Sequence, residues 1–230
     1  MNNKTSTIAR PQSPDKPDTH DMVVVHRIFR REIRQAADLV LQAPAGDLRR
    51  AAVIARHLDL LLEVLQHHHE AEDEYLWPLL LERATLRGDL VHRVEYQHDG
   101  IARGLAGIEI LLPRWRRSAA ASVAGELSSA LRLLSRALVE HMDEEEQQIL
   151  PLVAETLTVA EWQRLGEIAY EKGQPSQRFT VLGLLLAEAS RAETAEFLGK
   201  IPAIARVLWT LVARRRFVRY LNRVHGDALL

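Results

Sequence analysis

The sequence predicts an all-α fold: an up-down-up-down four-helix bundle with additional C-terminal helices. Three observations carry that expectation. Between Asp21 and Ala154 the apolar residues recur at helical spacing in four stretches. Short breaks separate them at Pro44-Ala45-Gly46-Asp47, at Arg87-Gly88-Asp89 and across Pro113 to Ser118, and long helices with short connections become antiparallel neighbours. Alternating β-branched runs are missing, so strands have nothing to build from. With aromatic residues at 5%, the core falls mainly to Leu, Val, Ile and Ala.

Taken in order, residues 1–20 are polar and Pro-rich and read as a disordered lead-in without the apolar stretch of a secretory leader. Residues 21–155 form the bundle. Residues 156–230 form a helical extension of shorter pieces. Thr158-Val159-Ala160-Glu161 has the form of a capping box and opens a helix that stops near Lys172-Gly173. After the loop Gln174-Pro175-Ser176 come an apolar helix around residues 178–190 and a last helix from about Pro202 to Val224. That last helix is Arg-rich, carries Trp209, Phe217 and Tyr220, and reads as a cap over the bundle with its arginine heads in water, the alternative being a contact with an acidic membrane surface or partner. The run Arg114-Trp115-Arg116-Arg117 reads as a solvated connection between helices.

Composition narrows the function. The chain has 230 residues, 47% of them hydrophobic, enough for a real core. Its 30 Lys+Arg and 31 Asp+Glu leave a net charge of −1, which gives no basic footprint for nucleic acid. The absence of cysteine excludes thiolate nucleophiles, Cys-ligated zinc and iron–sulfur clusters, and fits a cytoplasmic protein. The longest late apolar run, Phe179 to Ala187, is too short to cross a bilayer, so no transmembrane segment is expected.

The bundle repeats itself. His26 and His98 are 72 residues apart, whereas His68 and His141, Glu72 and Glu145, and Pro78 and Pro151 are each 73 apart. Both segments read His-x3-Glu-acid-x3-apolar-apolar-Pro-Leu, which implies two helical hairpins facing each other about a pseudo-twofold axis. On helical wheels His26 lies with Met22, Phe29, Ile33 and Val40, and His98 with Val91, Val94, Ile101 and Leu105. His68 and Glu72 share the stripe of Leu61, Leu65 and Leu79, and His141 and Glu145 that of Leu134, Leu138 and Leu152. Four histidines and two glutamates therefore face the bundle axis with no Lys or Arg among them. Two buried carboxylates demand a counter-charge, and metal cations provide one. The i to i+4 spacing puts His68 and Glu72 roughly 6 Å apart along the helix, within reach of one site. A histidine from each helix and a bridging glutamate from each hairpin suit two metals, iron above zinc or manganese. Asp73 and Glu146 are rotated about 100° further and point away.

These residues resemble the hemerythrin family, specifically the bacterial HHE cation-binding domains. The resemblance covers about residues 21–155 and rests on His26, His68-x3-Glu72, Gln97-His98, His141-x3-Glu145 and the trailing Leu-Trp-Pro and Ile-Leu-Pro elements. It implies two iron ions in an oxo- or hydroxo-bridged di-iron centre, with His26 and His68 on one iron and His98 and His141 on the other. It also implies reactivity toward dioxygen or hydrogen peroxide. One element of the pattern is missing: a second histidine one turn from His98, where Val94 and Ala102 stand. Glu95, Tyr96 and His92 are the nearest residues in sequence that could fill the gap. A more open centre of this kind favours turnover of peroxide or dioxygen over reversible oxygen carriage.

Oxidase turnover needs a donor such as a reduced flavin or deazaflavin, whereas peroxide disproportionation needs none. The other readings are a sensor or binding protein for dioxygen, nitric oxide or iron at the same site, and a metal-free helical scaffold. A ferritin-like carboxylate centre requires two Glu-x-x-His motifs, and only Glu95-x-x-His98 fits. His67 and His69 lie 100° off the His68 face and read as surface or supporting residues; His20 and His92 are also off the ligand faces. His57, eleven residues before His68, reads as a hydrogen-bonded core histidine. The extension is expected to cover the iron site, form a homodimer contact or bind an electron donor.

Overall fold

The computed structural model describes residues 16–226. Most of the segment read as a disordered lead-in, residues 1–15, lies outside them. The four bundle helices are α1 (His20–Gln42), α2 (Leu48–Ala71), α4 (Gly88–Ser118) and α5 (Ala121–Glu144), with α3 (Trp77–Arg83) extending α2 and α6 (Leu150–Thr156) extending α5. α1 packs on α2 and α5, and α4 packs on the same two helices, closing the ring of an all-α bundle. Asp47 caps α2 by accepting from the Arg50 N–H. Gly46, at φ 82°, donates its N–H to the Ala119 carbonyl, tying the α1–α2 turn to the α4–α5 turn at one end of the bundle.

Two departures lie inside the bundle. α4 does not break at Pro113 but runs through it to Ser118. The bond that the proline cannot make belongs to the exposed Glu109, so its carbonyl can turn to water. Buried Trp115 and the Arg116–Asp59 ion pair hold the last turn, so Arg114 to Arg117 is helix and not a solvated connection. The second departure repeats: a π-helical turn interrupts each long helix at Glu72–Leu76 and at Glu145–Ile149, starting at the two glutamates and ending just ahead of Pro78 and Pro151. Widening the helix by one residue accommodates a proline that cannot donate, and such turns commonly mark functional positions.

Beyond the bundle, α7 (Val159–Lys172) opens with the expected capping box of Thr158 and Glu161. α8 (Arg178–Glu188) follows, then α9 (Arg191–Lys200), a helix the apolar pattern does not predict. It has no buried residue, yet Ser190 and Glu193 form a second capping box at its start. The last helix is three pieces: α10 (Ala203–Leu208), a π-helical turn at Trp209–Ala213 and α11 (Arg214–His225). Phe217 and Val224 of α11 are buried, while Arg214, Arg215, Arg216 and Arg219 are exposed. α7 packs on α2, α8 on α1, and α11 on α2 and α8, so the extension lies along the α1–α2 side of the bundle. Among the described residues no helix is long and apolar enough to cross a membrane.

Candidate metal centre

A polar layer divides the interior. One apolar cluster contains Phe29, Leu61, Ile101 and Leu138; the other contains Met22, Leu76, Val91 and Ile149. Between them in sequence on every bundle helix lie His26, His68, Glu72, His98, His141 and Glu145, all buried. The structure thus brings together all six residues singled out by helical spacing.

Their ligand atoms fall into two groups, each within 4.8 Å internally: His26, His68 and Glu145, and His69, Glu72, His98 and His141. The donors approach one another at distances typical of atoms converging on a shared point. His26 Nε2 lies 3.3 Å from Glu145 Oε2, His68 Nε2 lies 3.4 Å from Glu72 Oε1, and His98 Nε2 lies 3.5 Å from Glu72 Oε2. His98 Nε2 and His141 Nε2 face each other at 3.2 Å. Each glutamate has contacts to histidines of more than one helix, as bridging requires.

Of the two roles read for His69 from sequence, surface or support, the structure removes the first. His69 is buried and stacks on His98 with ring centroids 4.1 Å apart and planes 21° apart. The reason is the position of α2 between α1 and α4. Residues 100° apart on α2 face different neighbours: His68 turns to His26 on α1, with centroids 5.4 Å apart, and His69 turns to His98 on α4. His69 thus brings a fifth imidazole to the centre, and the nearest residues in sequence to His98 do not fill the gap. Tyr96 is 67% exposed, and His92 pairs with Glu95 at the surface. The signal was in the sequence as the doublet His68-His69; a single-stripe wheel hides it.

Asp73 and Glu146 do turn away from the axis, but they are not idle. Asp73 Oδ1 lies 2.6 Å from His98 Nδ1 and accepts from Trp77 Nε1 at 2.9 Å. Glu146 Oε1 lies 2.8 Å from His26 Nδ1 and accepts from Arg30 at 2.6 Å. The 73-residue repeat therefore extends to the supporting contacts: the acid after each central glutamate crosses to a histidine of another helix. His141 Nδ1 is held by Gln97 Oε1 at 3.1 Å, and Gln97 donates to Glu144 at 2.8 Å. A carboxylate or amide oxygen on Nδ1 fixes the tautomer that leaves Nε2 free to ligate.

The electrostatics fit a cation. His26 Nε2, His68 Nε2 and all four carboxylate oxygens of Glu72 and Glu145 are buried without a hydrogen-bond partner. Burial, then the neighbouring Glu145 carboxylate, drives Glu72 well above the usual carboxylate range. Burial, followed by the other imidazoles, pushes His68 down to about 3 and His69 well below its ordinary value; His141, held down mainly by burial, falls to about 4. Glu145 and His26 go the other way: burial opposes it, yet their mutual attraction holds the Glu145 carboxyl below its usual range and raises His26, so without metal one carboxylate leans on an imidazole and the other on a proton. Neutral imidazoles are the ligating form, and a cation would release both.

Fold and donor set together define a metal-binding helical-bundle protein. The family model described as the hemerythrin HHE cation binding domain matches residues 18–153, more than half of the chain, and the protein belongs to that family. Neither the curated proteins nor the solved structures provide a match.

Proposed function

We propose that this protein is a cytoplasmic di-iron protein that carries out redox chemistry on dioxygen or hydrogen peroxide. The observation that carries the reading is the set of six buried, unpartnered donor atoms on His26, His68, Glu72 and Glu145 at the heart of the bundle. His26, His68 and Glu145 would hold one iron, and His69, Glu72, His98 and His141 the other. Bound there, two irons supply reversible one-electron steps and Lewis acidity.

The chain's own residues do the rest. Glu72 and Glu145 stand near histidines of both groups and would hold both irons. Asp73, Glu146 and Gln97 orient the imidazoles through Nδ1. The apolar clusters on either side exclude bulk water, which strengthens every charge interaction inside. Oxidase turnover would draw electrons from a reduced flavin or deazaflavin; peroxide disproportionation would need no donor.

The test has two stages. Protein from iron-replete culture, purified without chelator or affinity metal, should carry close to two irons per chain by mass spectrometry; one metal or none sinks the di-iron reading. Iron-loaded protein mixed with hydrogen peroxide should then evolve oxygen over many turnovers, or consume dioxygen over many turnovers when supplied with a reduced flavin. A second reading, a sensor of dioxygen or nitric oxide, draws support from α1 and α2, which carry His26 and His68 and also hold the C-terminal helix through Glu32 and His57. A sensor responds once per site instead of turning over.

A further inference from the structure

A cavity of about 590 Å³ opens between the bundle and the extension. Its inner end is formed by His68 and Glu72 of the centre together with buried Phe29, and its sides are apolar: Val25 and Val64 from the bundle, Leu165 from α7, Leu182 from α8. Tyr170, Gln174 and Phe179, all exposed, stand at its outer edge. The volume falls within the range of small-molecule sites, roughly 300–1,000 Å³. An apolar space of this size is poorly suited to ordered water, which needs polar partners.

One charged group breaks the apolar lining without a counter-ion. Arg178, at the start of α8, stacks its guanidinium 4.1 Å from the centroid of the Tyr170 ring. Its Nε is buried with no hydrogen-bond partner, and it makes no ion pair among the described residues. Of the two acids in the lining, Asp21 already accepts from Trp162 Nε1 at 3.0 Å, and Glu72 belongs to the centre. Arg178 thus lines the chamber beside Tyr170 at its outer edge, and a guanidinium without an ion pair is the partner of a carboxylate, its planar fork suiting bidentate capture.

We propose that this cavity binds an organic acid with an extended apolar body, its carboxylate on Arg178 and its apolar body in the chamber toward His68 and Glu72. Such a molecule would stand next to the metal centre, so its role as substrate or effector rests on the di-iron reading. Its binding does not. The walls from residue 162 onward lie outside the segment matched by the family model, so the extension adds the chamber to the bundle.

The test is calorimetric titration of the iron-loaded full-length protein with dodecanoate and with 1-dodecanol, the iron content of each sample being measured in parallel. Dodecanoate should saturate at one per chain. Arg178→Gln should weaken dodecanoate by about tenfold or more, the loss of a charge-assisted pair, and leave dodecanol unchanged. Gly166→Trp should weaken both, because Gly166 lines the cavity and a Cβ there meets no atom within 4 Å, so a ring can be built at the cavity wall without displacing the fold. Equal affinity for the alcohol and the acid, or unchanged dodecanoate binding in both variants, overturns the proposal. Two irons per chain with no dodecanoate binding overturns this inference alone; binding without iron upholds it and removes the reading of the centre.

Discussion

Two clusters of histidine and carboxylate share helices α1 and α2 and differ in how their charges are met. The first is the metal centre. The second joins Glu32 of α1, His57 of α2 and His225 of α11. His57 and His68 are eleven residues apart on α2, roughly 16 Å along the axis. In the second cluster the charges are answered within the protein. Glu32 Oε1 accepts from Arg31, while Oε2 lies 2.9 Å from His57 Nε2 and 3.1 Å from His225 Nε2. His57 Nδ1 accepts from the Tyr220 hydroxyl at 2.5 Å. Burial alone would raise Glu32, but the bonds from His225 and His57 outweigh it and hold the carboxyl well below its usual range. At the centre neither carboxylate accepts a hydrogen bond, and Glu145 has the His26 imidazole nearest at 3.3 Å while Glu72 is driven up. Identical chemistry thus makes a latch where the protein supplies the donors and a cation site where it withholds them.

The sharpest way to break this comparison is one substitution made at both places. Glu32→Leu removes the acceptor of Arg31, His57 and His225 and should cost about 3–5 kcal/mol in urea unfolding, with the metal count unchanged. That cost should shrink as the pH falls below about 4.5. The Glu32 pKa is lowered in the folded protein, so its contribution is present above the unfolded value of 4.5 and is lost on acidification toward the folded one. A gap between variant and parent that widens in acid would contradict the latch.

Glu72→Leu should do the reverse. The metal-free variant should be more stable than the metal-free parent by about 1–4 kcal/mol, since an unpaired buried carboxylate gives way to an apolar group. It should also lose at least one metal per chain. Loss of stability with full metal content would erase the distinction between the two clusters.

Smaller effects test how the latch is mounted. A Cβ at Gly183 would lie 2.3 Å from the buried Phe217 ring, so Gly183→Ala should push α11 off α8 at a cost of about 1–3 kcal/mol, with the metals retained. Thr158→Ala removes the cap of α7 and should cost about 1 kcal/mol in thermal unfolding, with no change in either cluster.

Much of this molecule could be read from residue order alone. Periodicity gives the bundle helices, and the repeat gives the six central residues, because a buried stripe tolerates a polar group only for a reason. Capping chemistry gives the start of α7. What escaped reading depends on neighbours. His69 lies off the axial stripe and becomes a candidate ligand through the placement of α2 between α1 and α4. Asp73 and Glu146 support histidines on other helices across 25 and 120 residues of chain, a pairing that no local pattern encodes. Glu32 is hidden in sequence as one acid beside Arg31, and its burial is completed by a helix nearly two hundred residues away.

The sequence by itself determined the helices, their antiparallel order and the kind of ligand that a polar layer in an apolar stripe must bind, since these follow from local periodicity and the cost of burying charge. Tertiary structure alone decided which nitrogen meets which carboxylate, that Glu32 is satisfied while Glu72 is not, and that the extension leaves a chamber beside the centre. Those outcomes depend on distances between segments far apart in the chain, which packing sets and local order does not.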